Sequence, residues 1–315
     1  MSDVLPEQLL PEGGAPLVLP EEAWRAREAA HAERAERLTA AARERRERGE
    51  SHAVEDFLYT YYPWAPGRLR RWHPGTGVVL AGPAAVGRAG WAHYTRTCAG
   101  VAVDAAGIAA ARTATVRLAA SVLSATLTRP AQLGCFGLHE WAMVHRTPAP
   151  EIRHSRLPLR LGSAGTDAVV EAHRIRCSHF DAFRFFTPTA VPRNEVQPRR
   201  ETQAALEQPG CLHATMDCYR WAMKLSPAVP GELLLDCFEL ARDVRVLDMR
   251  ASPYDVSGYG LSPVAIETPQ GKAEYVAAQR EFAQRAEPLR RSLLGVCEDL
   301  LAALPPDGSR DSAGG

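Results

Sequence analysis

The sequence predicts a mainly α protein, a single helical domain with a few short strands. Three observations lead there. Stretches of helix-forming residues recur from residue 21 to residue 304, and the strand candidates are short, at 77–80 and 101–103, with 169–176 open to either reading. A chain of 315 residues that is 46% hydrophobic also carries enough apolar surface for one sizeable core. The expected organisation is a flexible tail over 1–20, one domain over 21–304 with its chemistry concentrated in 134–255, and a disordered tail over 305–315.

Taken in order, residues 21–50 read as the first helix. Pro20 precedes it, Glu21 and Glu22 complement the helix dipole, and Gly49 marks an end. Its surface is charged, so a solvated, strut-like helix is expected. Residues 51–103 are irregular apart from the two strand candidates. A long helix follows over 104–127 and stops before Pro130. Further helices are expected over 138–145, 181–186, 202–207, 215–225, 232–247 and 273–304. The segment 169–176 reads as either strand or helix, and 187–198 as a Pro-rich connector.

No apolar run reaches the roughly 20 residues needed to span a bilayer. The first 20 residues lack a basic region followed by an apolar one, so a cytoplasmic protein is expected, with no membrane partner. Seven cysteines without a CxxC pair argue against a disulfide framework. There is no P-loop, no strand-linked GxGxxG and no GxSxG elbow. Lys224 and Lys272 are the only lysines, which leaves Schiff-base chemistry just two candidate amines.

Charge is balanced overall but not locally. Residues 1–66 carry 8 basic and 13 acidic side chains, 67–200 carry 18 and 7, and 201–315 carry 11 and 17. Arg68, Arg70 and Arg71 sit in the basic stretch near Trp64 and Trp72. Basic residues interleaved with aromatics suit phosphates and unstacked bases, so these three are candidate contacts to a DNA backbone.

Four segments concentrate reactive side chains: GCFGLHEWAMVHR, EAHRIRCSHFDAFRFFTP, QPGCLHATMDCYRWAMKL and DCFELARDVRVLDMRASPYD. A core helix does not tolerate so many ionisable groups without partners. Asp181, Asp217 and Glu140 are the candidate catalytic carboxylates, each beside aromatics, where a carboxylate stabilises a sugar cation. Trp141, Phe183, Phe185, Phe186, Tyr219 and Trp221, with His139, His179 and Arg250, are candidate substrate contacts. No cofactor is required by that reading. The alternative is a divalent metal held by His139, His173, His179 and His213, with His145 nearby, in a metal-dependent oxygenase or hydrolase acting on a small molecule. No HExxH spacing supports it, since position 143 is Met.

The words VEDFLYTYY, LRRWHPG, GCFGLHEWAMVHR, HRIRCSHFDAFRFFTP, ETQAALEQPGCLHATMD and LDMRASPYD resemble an actinobacterial family commonly named 3-methyladenine DNA glycosylase. The resemblance runs from about Trp24 to Leu301. It implies excision of alkylated purines from double-stranded DNA by hydrolysis of the N-glycosidic bond, a step of base excision repair. A helix-hairpin-helix glycosylase would show an LPGVG-like hairpin. Here Pro209-Gly210-Cys211 lacks the second glycine, and Asp217 follows too closely.

Overall fold

The first helix is held down by ion pairs along its charged surface. The computed structural model describes residues 15–148, 152 and 157–305. Helix α1 (Glu21–Glu47) buries a narrow stripe of Trp24, His31, Ala35, Thr39 and Ala42. Arg27 bonds Glu232 at 2.9 Å, and Arg34 bonds Asp236 at 2.6 Å and also Glu239. All three acids lie on α9 (Gly231–Arg250). Two of the charges expected to face water, Arg27 and Arg34, therefore dock α1 on the domain, which corrects the strut reading in part, while Glu22, Glu33, Arg37 and Arg46 are exposed as expected.

The expected N-terminal tail is also corrected in part. Leu17–Leu19 forms β1, paired in parallel with β2 (Val78–Leu80). A hairpin of β3 (Tyr94–Thr97) and β4 (Gly100–Val103) completes a four-stranded sheet in the order β1-β2-β4-β3. Every residue of β2 is buried, and its apolar VVL gives the sheet its anchor. Residues 1–14 and 306–315 of the two expected tails lie outside the described residues.

The remainder is helical, and the chain is a mainly α single domain, about 60% helical. Helix α2 (Phe57–Tyr61) is short. Helix α3 (Ala105–Thr128) starts at Asp104, whose carboxylate accepts from the Gly107 amide at 2.8 Å. Short helices α4 (Leu138–Ala142), α5 (Gly162–Ala172), α6 (Phe180–Phe183) and α7 (Gln203–Leu206) follow. The ambiguous segment 169–176 thus joins the end of a helix. Helix α8 (Leu212–Leu225) is enclosed by α3, α9 and α10 (Pro269–Ala302). No helix among the described residues is long and apolar enough to cross a membrane.

The position of α8 determines where chemistry is possible. Residues 212–219 are all buried, so the helix presents no solvated face for two turns. A helix buried all round is normally apolar all round. This one carries His213 and Asp217, whose polar atoms must then be satisfied inside the protein.

Candidate metal centre

His213 and Asp217 lie four residues apart and so share one face of α8. Helix α4 brings His139 and Glu140 toward that face, and the last turn of α9 brings Asp248. His179 comes from the residue before α6, and Glu207 from the residue after α7. Entry into α4 is set by two successive left-handed residues, Phe136 (φ 48°) and Gly137 (φ 70°). A Cβ at Gly137 would lie 3.4 Å from both Ala251 Cβ and Tyr275 Cε2, near ordinary contact, so it is the left-handed φ that favours glycine here.

The six side chains form two neighbouring triads, His139/His213/Asp248 and His179/Glu207/Asp217. In each, one potential ligand atom per residue lies within 4.8 Å of the others. His213 stands between them, with ring centroids 4.5 Å from His139 and 5.3 Å from His179. His139 Nε2 is 2.9 Å from Asp248 Oδ1. His179 Nε2 is 3.3 Å from Asp217 Oδ2 and 3.4 Å from Glu207 Oε1.

Those lengths are informative. N–H···O bonds cluster near about 2.9 Å, and one ring N–H does not serve two acceptors well at the longer distances around His179. Two donor atoms each about 2.1 Å from a single ion lie about 3.0 Å apart at a right angle and about 3.4 Å apart at the tetrahedral angle. The two His179 separations lie in the range of such edges, whereas the His139–Asp248 separation is that of an ordinary hydrogen bond. His179 Nδ1 has no hydrogen-bond partner among the described residues, and no hydrogen bond of the His213 ring is found among them.

Two arginines bind the surrounding carboxylates. Arg245 Nη1 donates to Glu140 Oε1 and Asp248 Oδ2, both at 2.8 Å, with its guanidinium 3.7 Å from the centroid of the Phe57 ring. Arg220 Nη1 donates to Asp181 Oδ2 at 2.8 Å and Asp217 Oδ2 at 2.9 Å. The Tyr62 hydroxyl donates to Asp217 Oδ1 at 2.8 Å. Glu140, Asp181, Glu207, Asp217 and Asp248 are all buried, and among the described arginines only Arg220 and Arg245 meet them from within. Arg184 reaches Asp181 from the surface at 3.1 Å.

The electrostatics follow from this excess of negative charge. Burial would depress the pKa of His139, but Asp248 outweighs it and holds the value well above the ordinary histidine range. Burial also opposes charge on His179, where Glu207 and Asp217 prevail and raise the pKa. His213 goes the other way. Burial, then the charge of His139, drives it well below the usual value, so it is neutral at physiological pH. Burial would raise both aspartates, yet Arg220 holds Asp217 low and His139 holds Asp248 low. Burial raises Glu207, partly countered by His179 and reinforced by Asp217.

The three nominated carboxylates therefore gather around one centre, Asp217 directly and Asp181 and Glu140 through arginines. Of the nominated histidines, His139, His179 and His213 converge. His173 does not: its Nδ1 bonds the Val169 carbonyl at 2.6 Å, finishing α5. His145 bonds Thr189 at 2.9 Å, outside both triads. The aromatic set needs correction. Trp141, Tyr219 and Trp221 are core residues at 0–1% exposure, and the Trp141 indole donates to the Ala251 carbonyl at 2.8 Å. Phe183 and Phe186 pack on each other at 5.1 Å. Phe185 alone of the six rings lines a cavity at the centre. Arg250 is also corrected: it bonds the Ser262 carbonyl at 2.8 Å and Glu274 at 3.0 Å, pinning a surface turn. Arg70 pairs with Glu36 at 3.2 Å, whereas Arg68 and Arg71 line an open groove.

His213 faces two cavities of about 10 Å³ each, one lined also by Glu140, Asp181 and Phe185 and the other by Cys135, His139 and Cys211. Each is the size of a single water molecule. Glu207 and Asp248 belong to the centre without having been nominated as site residues. Glu207 carries no recognisable motif. Asp248 is three residues after Arg245 on a helix whose neighbours are apolar, a signal that fits a buried pair. No family model, curated protein or solved structure matches the chain significantly, so the chemistry rests on the chain's own geometry.

Proposed function

We propose that this chain is a metal-dependent enzyme, an oxygenase or hydrolase acting on a small molecule, with its metal centre at His139, His213, Asp248, His179, Glu207 and Asp217. The observation that carries the reading is the pair of buried triads meeting at a neutral His213 whose ring has no hydrogen bond found among the described residues. Five buried carboxylates face two buried guanidinium groups, with Arg184 and Arg200 also reaching Asp181 from the surface, and the remaining negative charge is offset either by protons on His139, His179 and Glu207 or by a divalent cation. A neutral imidazole with a carboxylate and a second imidazole is the donor set of mononuclear ferrous oxygenases. The triad with two carboxylates suits a harder divalent ion. A water-sized cavity beside His213 leaves room for one small exogenous ligand at the ion.

The test is metal content. Chelator-stripped protein is incubated anaerobically with Fe(II), Mn(II) or Zn(II) in turn, desalted and analysed. At least one tightly held equivalent is expected, with release of protons from the histidines and loss of binding in His213→Ala. Substoichiometric retention of all three metals would overturn the proposal. Excision of alkylated purines is the second reading. It is favoured by one observation, the groove lined by Arg68 and Arg71 with no acidic residue beside them. Base release from methylated duplex DNA, with Asp181→Asn and Asp217→Asn alongside, tests it directly.

A further inference from the structure

A second site lies across the surface from α3 to α8. It is an open groove of about 700 Å³ lined by Arg68, Arg71, Arg112 and Lys224, with Trp64 and His73 in its wall and no Asp or Glu. None of the four cations makes an ion pair with a carboxylate among the described residues. Arg112 donates instead to the carbonyls of Lys224 at 3.1 Å and Ser226 at 2.8 Å, and contacts His93 Nε2 at 3.0 Å. Arg71 lies 5.1 Å from the Trp91 ring centroid, and Lys224 lies 5.9 Å from that of Trp221. Helix α3 leaves helical geometry at Arg112 itself (φ −130°, ψ 25°). Breaks of this kind inside helices have identifiable causes and recur at functional sites.

The contrast with neighbouring cations matters. Arg70 pairs with Glu36, Arg27 with Glu232 and Arg88 with Glu28. Those arginines are paired with acids, whereas the cations lining the groove form no direct ion pair among the described residues and feel acidic charge only at longer range, Lys224 from Asp217 and Asp181. Burial, with the charges of Arg88 and Arg71, holds the groove-lining His73 down at about 3, so it adds no further cation.

We propose that this groove binds a phosphate-bearing small molecule of nucleotide size, with the arginines and Lys224 on phosphate oxygens and Trp64 beside a planar ring. Four cations exceed what a single carboxylate satisfies, and two or more phosphate groups match them through charge-assisted bonds. The volume falls within the range of small-ligand sites. Arg27, Arg70 and Arg88 do not line the groove and are each paired with an acid, so the unpaired cations are confined to it, which favours a compact ligand over a long strand. Trp64 stacks on Tyr62, with ring centroids 5.9 Å apart, and Tyr62 bonds Asp217, so the groove adjoins the buried centre. The proposal does not depend on a metal there.

The experiment is calorimetric titration of the full chain with inorganic pyrophosphate, with adenosine diphosphate and with a single-stranded oligonucleotide, at low and moderate salt. Pyrophosphate and the nucleotide are expected to bind with one-to-one stoichiometry and more weakly as salt rises. Arg68→Glu and Lys224→Glu are each expected to weaken binding at least about tenfold. Both residues are exposed, so the fold should survive, and circular dichroism checks that it does. Arg291→Glu, on an exposed arginine paired with Glu287, serves as the control and leaves binding unchanged. The proposal is overturned if neither small phosphate binds, if Arg68→Glu and Lys224→Glu bind as the wild type does, or if only the oligonucleotide binds.

Discussion

Replacing Asp248 by Asn isolates the charge at the centre. The side chain is fully buried, accepting from His139 at 2.9 Å and Arg245 at 2.8 Å. Asparagine keeps its volume and removes its charge. Arg245 retains Glu140 at 2.8 Å, while His139 loses the carboxylate that keeps it protonated. Removing one partner of a buried ion pair costs about 3–5 kcal/mol. The lower end applies here because Glu140 remains. At about 2–4 °C per kcal/mol for a chain of this size, melting falls by on the order of 10 °C. The pH profile gives a second handle. The pKa of His139 is raised in the folded state, so its contribution is complete below the unfolded value near 6.5 and is lost as pH rises through the folded value. That of Asp248 is lowered, so its contribution is present above the ordinary carboxylate range and lost as pH falls through the folded value. Metal-free wild type should therefore melt progressively lower above pH 6.5. The variant should do so less steeply, with only His179 left to lose its proton. Circular dichroism melts in chelator, stepped in pH, measure both quantities. A loss under about 1 kcal/mol, or an unchanged slope above neutrality, would refute the reasoning.

Two further substitutions probe the frame. Arg220→Met deprives Asp181 and Asp217 of their shared guanidinium, and a loss of about 3 kcal/mol is expected in denaturant melts. Its acid unfolding should begin at higher pH, because Arg220 is the largest influence holding Asp217 low. Gly137→Ala places a Cβ at φ 70° against Ala251 and Tyr275 and should cost about 1–2 kcal/mol. Gly137→Asn should cost less, since Asn tolerates the left-handed region, and equal melting of both variants would count against backbone strain at this turn.

The long helices were legible in the sequence because local signals define them. Pro20 before Glu21 and Asp104 before the long helix each mark a start that needs no knowledge of the fold, whereas the last helix begins at Pro269, four residues before the expected 273. Strand β1 was not legible. Three apolar residues beside prolines carry no periodicity, and only β2, some sixty residues on, gives them a partner. The docking of α1 was hidden for a related reason: its arginines look solvated until α9 supplies Glu232, Asp236 and Glu239. At the centre, residue types were readable but their company was not. Asp217 and Tyr219 share a helix two residues apart, and one turns toward His179 while the other packs on Phe238 in the core. Sequence spacing fixes the face of a helix, and only the packing of α8 fixes which face meets histidines.

Why the protein buries this much charge is the remaining physical question. Well-packed apolar residues in place of a buried ion network are often neutral or stabilising. Stability alone therefore does not account for three histidines and five carboxylates around the start of α8. The ion pairs explain Asp248, Asp217 and Arg220, while Arg245 donates through Nη1 alone and its buried Nε and Nη2 find no partner among the described residues. They do not explain His213, which is neutral, stands between two other imidazoles, and lines a water-sized cavity. Nor do they explain His179, placed almost equally far from two carboxylates and too far for good bonds to both. These two residues are the ones a bound cation would satisfy. A cation would also displace the protons that His139 and His179 otherwise carry, so metal affinity should rise with pH over the same range in which the metal-free fold weakens.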